Sequence, residues 1–291
     1  MADSLRTPNS ELRTSHDPIA IALAEDIGPG DLTSRYFTGT GRKNARIFAK
    51  EPCIAAGLAT GAEVFRRVDP QLGVGVVCAE GSALEIGDTV LEITGPVRSI
   101  LTAERVALNF IQRLSGVATL TRRFVDAVAG TPARILDTRK TTPGLRALEK
   151  AAVIAGGGTN HRFGLFDMVM VKDNHLVAEG GPEALQAAIL KLKSEKPEVE
   201  VELEADNLEQ VRIFLTMEGV DYVLLDNMSV EELSEAIEMR GDRSKPLFEA
   251  SGGITLGTLR EIAKTGVDFI SVGALTHSAP ALDLGLDFET L

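Results

Sequence analysis

The chain belongs to the α/β class. The predicted fold is a parallel βα barrel, related to the eight-stranded kind but with six clear units. Three observations predict it. From residue 133 onward, short apolar runs alternate with segments of helical period. The runs are mostly apolar, as strands buried on both faces of a parallel sheet are. Each run also ends in polar or glycine residues, and the C-terminal rim of the strands is where barrels carry their chemistry. A doubly wound open sheet is the alternative, and no GxGxxG follows the first strand to support its dinucleotide-binding form.

The N-terminal "MADSLRTPNSELRTSHD" has no apolar signal core, so residues 1–15 are expected to be a disordered tail and the protein cytoplasmic. Residues 18–26, "PIAIALAED", read as a helix closed by "GPGD", with Asp31 or Thr33 capping the next segment. Between 43 and 98 the pattern becomes short β-rich runs with glycine turns. The run ending in "LEIGDTVLEITGP" is similar to biotinyl and lipoyl carrier modules. No lysine stands at a hairpin tip to carry a prosthetic group, so it is read as structural. Residues 101–128 have helical period, interrupted at Gly116. Strands are then expected at 133–136, 168–171, 199–203, 222–225, 247–250 and 269–272. Helices are expected at 145–155, 182–194, 207–217, 229–239 and 256–265.

Charge narrows the function. The chain carries 30 Lys and Arg against 42 Asp and Glu, a net charge of −12. Residues 104–175 run the other way, with eleven basic and six acidic residues. An acidic protein with one basic island lacks the basic stripe of a nucleic-acid binder. It suits a concave site for a small polyanion. No apolar run approaches a membrane span. Cys53 and Cys78 form no metal or redox spacing, and four dispersed histidines form no metal motif.

The rim residues are specific. "DTRK" (137–140) follows the first strand and Lys172 follows the second. The third ends at Glu204, with Glu202 two residues earlier on the same face. Asp226-Asn227, "SGG" (251–253) and Gly273 follow the remaining strands. Glycines on the last two strands let backbone N–H groups approach an oxyanion, which marks Ser251, Gly252, Gly253 and Gly273 as a phosphate cradle. "GGGTNHRFGLFDMVMVKDNH" (156–175) is then one wall of an anion site, adding His161, Arg162 and Lys172 to Arg139 and Lys140. Each has a plain alternative: a surface salt bridge for Arg162, a solvated Lys140, a satisfied buried His161, a helix-capping Asp226. Their convergence on one rim favours the site.

These stretches, together with "GDLTS" (30–34), "ERVALNFIQRLSGVATLT" (104–121), "VELEADNLEQ" (201–210), "YVLLDNMS" (222–229) and "SVGALTH" (271–277), resemble the quinolinate phosphoribosyltransferases. The resemblance covers nearly the whole chain except the tail. It implies an N-terminal α/β sandwich (16–116), an incomplete TIM-like βα barrel (117–275) and a C-terminal segment (276–291) packing back on the sandwich. It implies an enzyme that converts quinolinate and phosphoribosyl pyrophosphate, with magnesium, to nicotinate mononucleotide, pyrophosphate and carbon dioxide. It implies a homodimer or higher assembly with shared sites. By position, Arg105 from the neighbouring subunit, Thr138, Arg139, His161, Arg162 and Lys172 would face quinolinate. Lys140, Lys172, Glu204 and Asp226 would surround the phosphoribosyl group, with Glu204 and Asp226 toward magnesium. Ser251, Gly252, Gly253 and Gly273 would hold the 5′-phosphate. "ELEAD" has one residue more than the usual strand end before Asp226, so Glu202 stays a second candidate for the role of Glu204.

Three rival functions remain open to the sequence. A Schiff-base aldolase would use Lys172 as nucleophile. A metabolite-sensing barrel would not need Glu204 and Asp226 for an anion. A related phosphoribosyltransferase acting on another base is the hardest to separate.

Overall fold

The computed structural model describes residues 17–172 and 180–289. The expected tail, and His175 in the 156–175 stretch, lie outside them. Contacts divide the chain into two compact units. One takes the described residues up to Arg122, Thr141–Gly157 and the segment from Ala274 onward; the other takes Arg123–Lys140 and Gly158–Gly273.

The first unit is built on a four-stranded antiparallel sheet ordered Leu284–Phe288, Arg42–Ala49, Thr89–Pro96, Gly73–Val76. Ile47 sits opposite Leu286 on one side and Leu91 on the other. Ala45, Ile47 and Ala49 are buried, as period-2 alternation over one apolar face requires. Their core is completed by Leu58 and Phe65 of helix Leu58–Val68 and by Ile100 and Ile111 of helix Val97–Ala127. Burying each such side chain fully contributes roughly 1.5–3 kcal/mol. Helix Pro18–Ile27 starts at Asp17, whose Oδ1 accepts the Ile19 and Ala20 N–H groups. Asp31, not Thr33, caps helix Leu32–Phe37, accepting the Ser34 N–H at 2.9 Å. Glu80 caps helix Leu58–Val68 from a distant loop, taking the Gly57 and Leu58 N–H groups at 2.8 Å each. No periodicity signals a cap of that kind.

The expected interruption at Gly116 is absent. Helix Val97–Ala127 runs through it, and the two contact-defined units part within that helix, after Arg122. The glycine serves a close approach instead: a Cβ there would stand 1.8 Å from the carbonyl oxygen of Pro280. The same first-unit segment is tied to the helix by Gln112, whose side chain donates to the Leu284 carbonyl at 2.8 Å, and by Arg113, which donates to the Ala279 carbonyl at 2.6 Å. Alanine is worth about 1 kcal/mol more than glycine in a helix interior. The clash is with backbone, which no rotamer change relieves, so Gly116→Ala is expected to destabilise by about 2 kcal/mol or more and to lower Tm by roughly 4–8 °C. Calorimetry checks the sign: a raised Tm would show that the propensity gain wins.

The second unit holds six parallel strands in the order Arg134–Leu136, Phe269–Ser271, Leu247–Ser251, Tyr222–Asp226, Val201–Ala205, Val169–Val171. From the second strand on, each successive strand is added on the same side, and the first lies beside the last. A barrel opened between its first and second strands has this order; a doubly wound sheet reverses direction midway. Among the described residues no ladder joins those two edge strands. Thr159 enters the gap instead, bridging Leu136: its N–H donates to the Ile135 carbonyl at 2.8 Å and its carbonyl accepts the Asp137 N–H at 3.2 Å.

Five strands lie within a residue of their expected bounds at each end. The third is displaced, Val201–Ala205 rather than 199–203. The chain first makes a turn in which the Val199 N–H bonds the Lys196 carbonyl, and Lys193 Nζ holds the Val199 oxygen at 2.9 Å. Helix Arg146–Ala155, expected inside the barrel, groups by contacts with the first unit. No helix among the described residues is long and apolar enough to cross a membrane.

Candidate active site

Strand register alone assembles the rim of the second unit. Val171 pairs with Leu203, Ala205 with Leu225, and Asp226 with Ser251. Paired residues share a face and successive residues alternate. Lys172, Glu204, Asp226 and Ser251 therefore lie on one face at the C-terminal ends of four neighbouring strands.

Lys172 donates to Glu204 Oε2. Glu204 is buried while the lysine is half exposed. Asp226 is partly buried and accepts a hydrogen bond of 2.7 Å from Asn227 Nδ2. Asp206, which sequence pattern does not single out, joins them: oxygens of Glu204, Asp206 and Asp226 all lie within 4.8 Å of one another. Three carboxylates are hard oxygen donors and fit magnesium. Glu202, two residues earlier on the same face, lies against His161, with Oε2 3.1 Å from Nε2.

The residues expected to form a basic wall are placed on two segments of the second unit and on the first. Arg139 and Lys140 are exposed on the segment after the first strand, where Thr138 Oγ1 accepts the Lys140 N–H at 3.1 Å. Arg162 is buried. Its guanidinium donates to the Met168 carbonyl at 3.3 Å, and burial followed by the charge of Arg139 lowers its pKa. The intervening loop is closed by Asp167, which accepts the Phe163 and Gly164 N–H groups at 2.6 and 2.9 Å. Arg105 belongs to the first unit, exposed on helix Val97–Ala127.

At the expected phosphate cradle the backbone takes conformations that favour glycine. Gly252 has φ +96° and Gly253 φ +59°. A Cβ at Gly252 would stand 2.1 Å from Asn227 Oδ1. Asn227, itself at φ 54°, donates its backbone N–H to the Ser251 carbonyl at 2.9 Å. Gly273 follows strand Phe269–Ser271 by two residues and is partly buried.

His161 lies behind this rim. It was expected to face a substrate, but the described partners of its ring are protein groups. Nε2 stands 3.1 Å from Glu202 Oε2 and 3.3 Å from Glu249 Oε2. Nδ1 accepts the Arg162 backbone N–H at 2.6 Å. The His161 N–H donates to Asp137, which is fully buried. Burial alone would lower the imidazole pKa, yet the charge of Glu249 and contact with Glu202 would push it up to about 10. That cationic form conflicts with a backbone donor aimed at Nδ1. The backbone donor favours a tautomer with its proton on Nε2, toward the two carboxylates, whereas their charges favour the cation. Burial, then the charge of Glu249, raises Glu202 to about 7. Glu249 sits in an otherwise apolar strand, which by sequence reads only as core.

Known proteins match this architecture along its length. The family model described as quinolinate phosphoribosyl transferase, N-terminal domain, matches residues 31–115, and the C-terminal domain of the same family matches residues 117–287. A probable nicotinate-nucleotide pyrophosphorylase [carboxylating] of Synechocystis is 44% identical over 267 residues, covering 91% of this chain and 89% of its own. Quinolinate phosphoribosyltransferase [decarboxylating] 2 of Nicotiana glauca is 43% identical, covering 93% of this chain and 81% of its own. The solved nicotinate-nucleotide pyrophosphorylase of Francisella tularensis superposes with a TM-score of 0.86 at 38% identity, over 93% of this chain and 94% of that one. With both domains matched and identity sustained across the chain, the protein belongs to the quinolinate phosphoribosyl transferase family.

Proposed function

We propose that the protein is a decarboxylating phosphoribosyltransferase of NAD biosynthesis, converting quinolinate and phosphoribosyl pyrophosphate to nicotinate mononucleotide, pyrophosphate and carbon dioxide. The observation that carries this reading is the apposition, on one strand rim, of cations suited to a dicarboxylate and carboxylates suited to a cationic sugar carbon. A Schiff-base role for Lys172 fits less well, because that lysine is half exposed and ion-paired with Glu204, and the carboxylates on the adjacent strands suit sugar-phosphate chemistry better.

Arg139, Arg162 and Lys172, with Thr138, orient quinolinate. Guanidinium forks suit its two adjacent carboxylates. The pyridine nitrogen attacks ribose C1 as the C1–O bond to pyrophosphate breaks, through an oxocarbenium-like state. Glu204 and Asp226 stabilise that positive charge, and Lys140 and Lys172 bind the phosphoribosyl oxyanions. Ser251, Gly252, Gly253 and Gly273 cradle the 5′-phosphate. Glu204 and Asp226, with Asp206 beside them, would hold magnesium, which supplies charge neutralisation for the pyrophosphate. Once the ring nitrogen is quaternary, its positive charge stabilises the carbanion left at C2 when carbon dioxide departs, and a proton then takes up that electron pair in place of the carboxylate.

The direct test is an assay for nicotinate mononucleotide formed from quinolinate and phosphoribosyl pyrophosphate in the presence of magnesium. Absence of that product would overturn the reading.

Arg105 sits well before the barrel, exposed and inside the basic island, and the reading gives it to the site of a second copy in a homodimer or larger assembly. Arg105→Ala and Arg139→Ala proteins are then each expected to be nearly inactive. Mixing them should restore activity, since one site in each mixed dimer holds both arginines. Subunit exchange verified by mass spectrometry without any return of activity would count against sharing.

A further inference from the structure

Glu202 and Glu249 are carboxylates buried inside the barrel strands, at 0% and 2% exposure. Both oxygens of Glu202 and one of Glu249 lack a well-formed hydrogen bond in the protein. Burying such groups is costly unless they serve a purpose. The proposed reaction uses neither. What they converge on is His161 Nε2, at 3.1 and 3.3 Å. The opposite ring nitrogen takes the Arg162 N–H, and the backbone between is pinned by Asp137. The described contacts therefore run from two strands, through one imidazole, to the backbone of Arg162, the arginine that the proposed function gives to quinolinate.

We propose that His161 is a positioning residue that does not touch the substrate: Glu202 and Glu249 lock its ring, and the ring fixes the backbone of Arg162. This rests on the reading of the rim as a quinolinate site. It departs from the sequence-based expectation that His161 faces the pyridine carboxylates. The trio orients Arg162 much as outer groups orient a ligand-bearing side chain elsewhere. Glu202 and Glu249 act only through that link.

A double-mutant cycle on the full chain tests this, with quinolinate binding measured by calorimetry. Arg162→Ala is expected to raise the quinolinate Kd by roughly 30-fold or more, and His161→Asn by about tenfold. If His161 acts only through Arg162, the double variant should bind within about threefold of Arg162→Ala alone. Losses that multiply would mean that His161 contacts quinolinate itself and would overturn the proposal. Kinetics supply a second readout. His161→Asn should raise KM for quinolinate while KM for phosphoribosyl pyrophosphate moves by less than about twofold, a split that general loosening of the barrel would not give. Should His161→Asn fail to fold, Glu249→Gln, which keeps the side-chain shape, is put through the same cycle with Arg162→Ala and must show the same non-additivity. A wild-type protein that does not bind quinolinate would refute the functional reading and this inference with it. Wild-type binding with multiplying losses refutes the positioning role alone.

Discussion

Glu204→Gln and Asp226→Asn are each expected to lower kcat by about 100- to 1,000-fold, the loss typical of removing one preorganised electrostatic group from a site where charge develops. The two carboxylates stand at neighbouring strand ends, with oxygens within 4.8 Å. Both can therefore act on one developing positive charge. Neither is expected to carry quinolinate binding, so its Kd should move by only a few-fold. A change confined to the transition state appears in kcat and in kcat/KM together. Lys172 complicates Glu204→Gln, because the substitution releases the lysine from its ion pair. Asp226→Asn has no such consequence and is the cleaner member. Asp206→Asn is the internal comparison. Asp206 is exposed, and its substitution should cost far less than either partner if Glu204 and Asp226 carry the stabilisation. Unchanged kcat in both principal variants would remove the carboxylates from the mechanism.

Much of the rim is legible in the sequence because parallel strands read as apolar blocks, and the residue after each block is forced to the C-terminal edge. Lys172, Asp226 and Ser251 follow from that rule without coordinates. Glu204 follows from it too, as the residue after the expected run 199–203, although the strand itself lies two residues later because of the turn at Val199, which hydrophobic pattern does not report. Behind the rim, His161 and Glu202 stand out in the sequence, but Glu249 does not. Glu249 is one acid within "LFEA", and nothing local says that it meets an acid from another strand and an imidazole from a loop. Such contacts depend on strand order, which sequence pattern leaves open. Gly116 was misread for a related reason. Glycine weakens a helix locally, but here it admits the Pro280 carbonyl from a segment more than 160 residues away, and only tertiary structure shows that need. The regrouping of helix Arg146–Ala155 has the same origin: its apolar period marks a face to bury, without saying against what.

Nicotinate is expected to be a very poor substrate. It keeps the ring nitrogen and one carboxylate of quinolinate and lacks the second carboxylate. The basic wall holds Arg139, Arg162 and Lys172, with Arg105 from a second copy on the proposed reading. That set exceeds what one carboxylate can satisfy. Arg162 is the sensitive member, since it is buried and its pKa is already lowered by burial and by Arg139. Leaving such a charge without its partner costs roughly 2–5 kcal/mol, or a factor of about 30 to several thousand in kcat/KM. Enzymes discriminate well against analogues that lack a polar group their site is built to meet. Nicotinate also has no 2-carboxylate whose departure as carbon dioxide would make the reaction irreversible. Phthalate inverts the comparison, with paired carboxylates and no ring nitrogen. It should bind competitively with quinolinate and form no product. The measurement is kcat/KM for both pyridine acids and Ki for phthalate under one set of conditions. Comparable efficiency with nicotinate and quinolinate would mean that the cations serve something other than a second carboxylate, and would turn the assignment toward a phosphoribosyltransferase that does not decarboxylate its substrate.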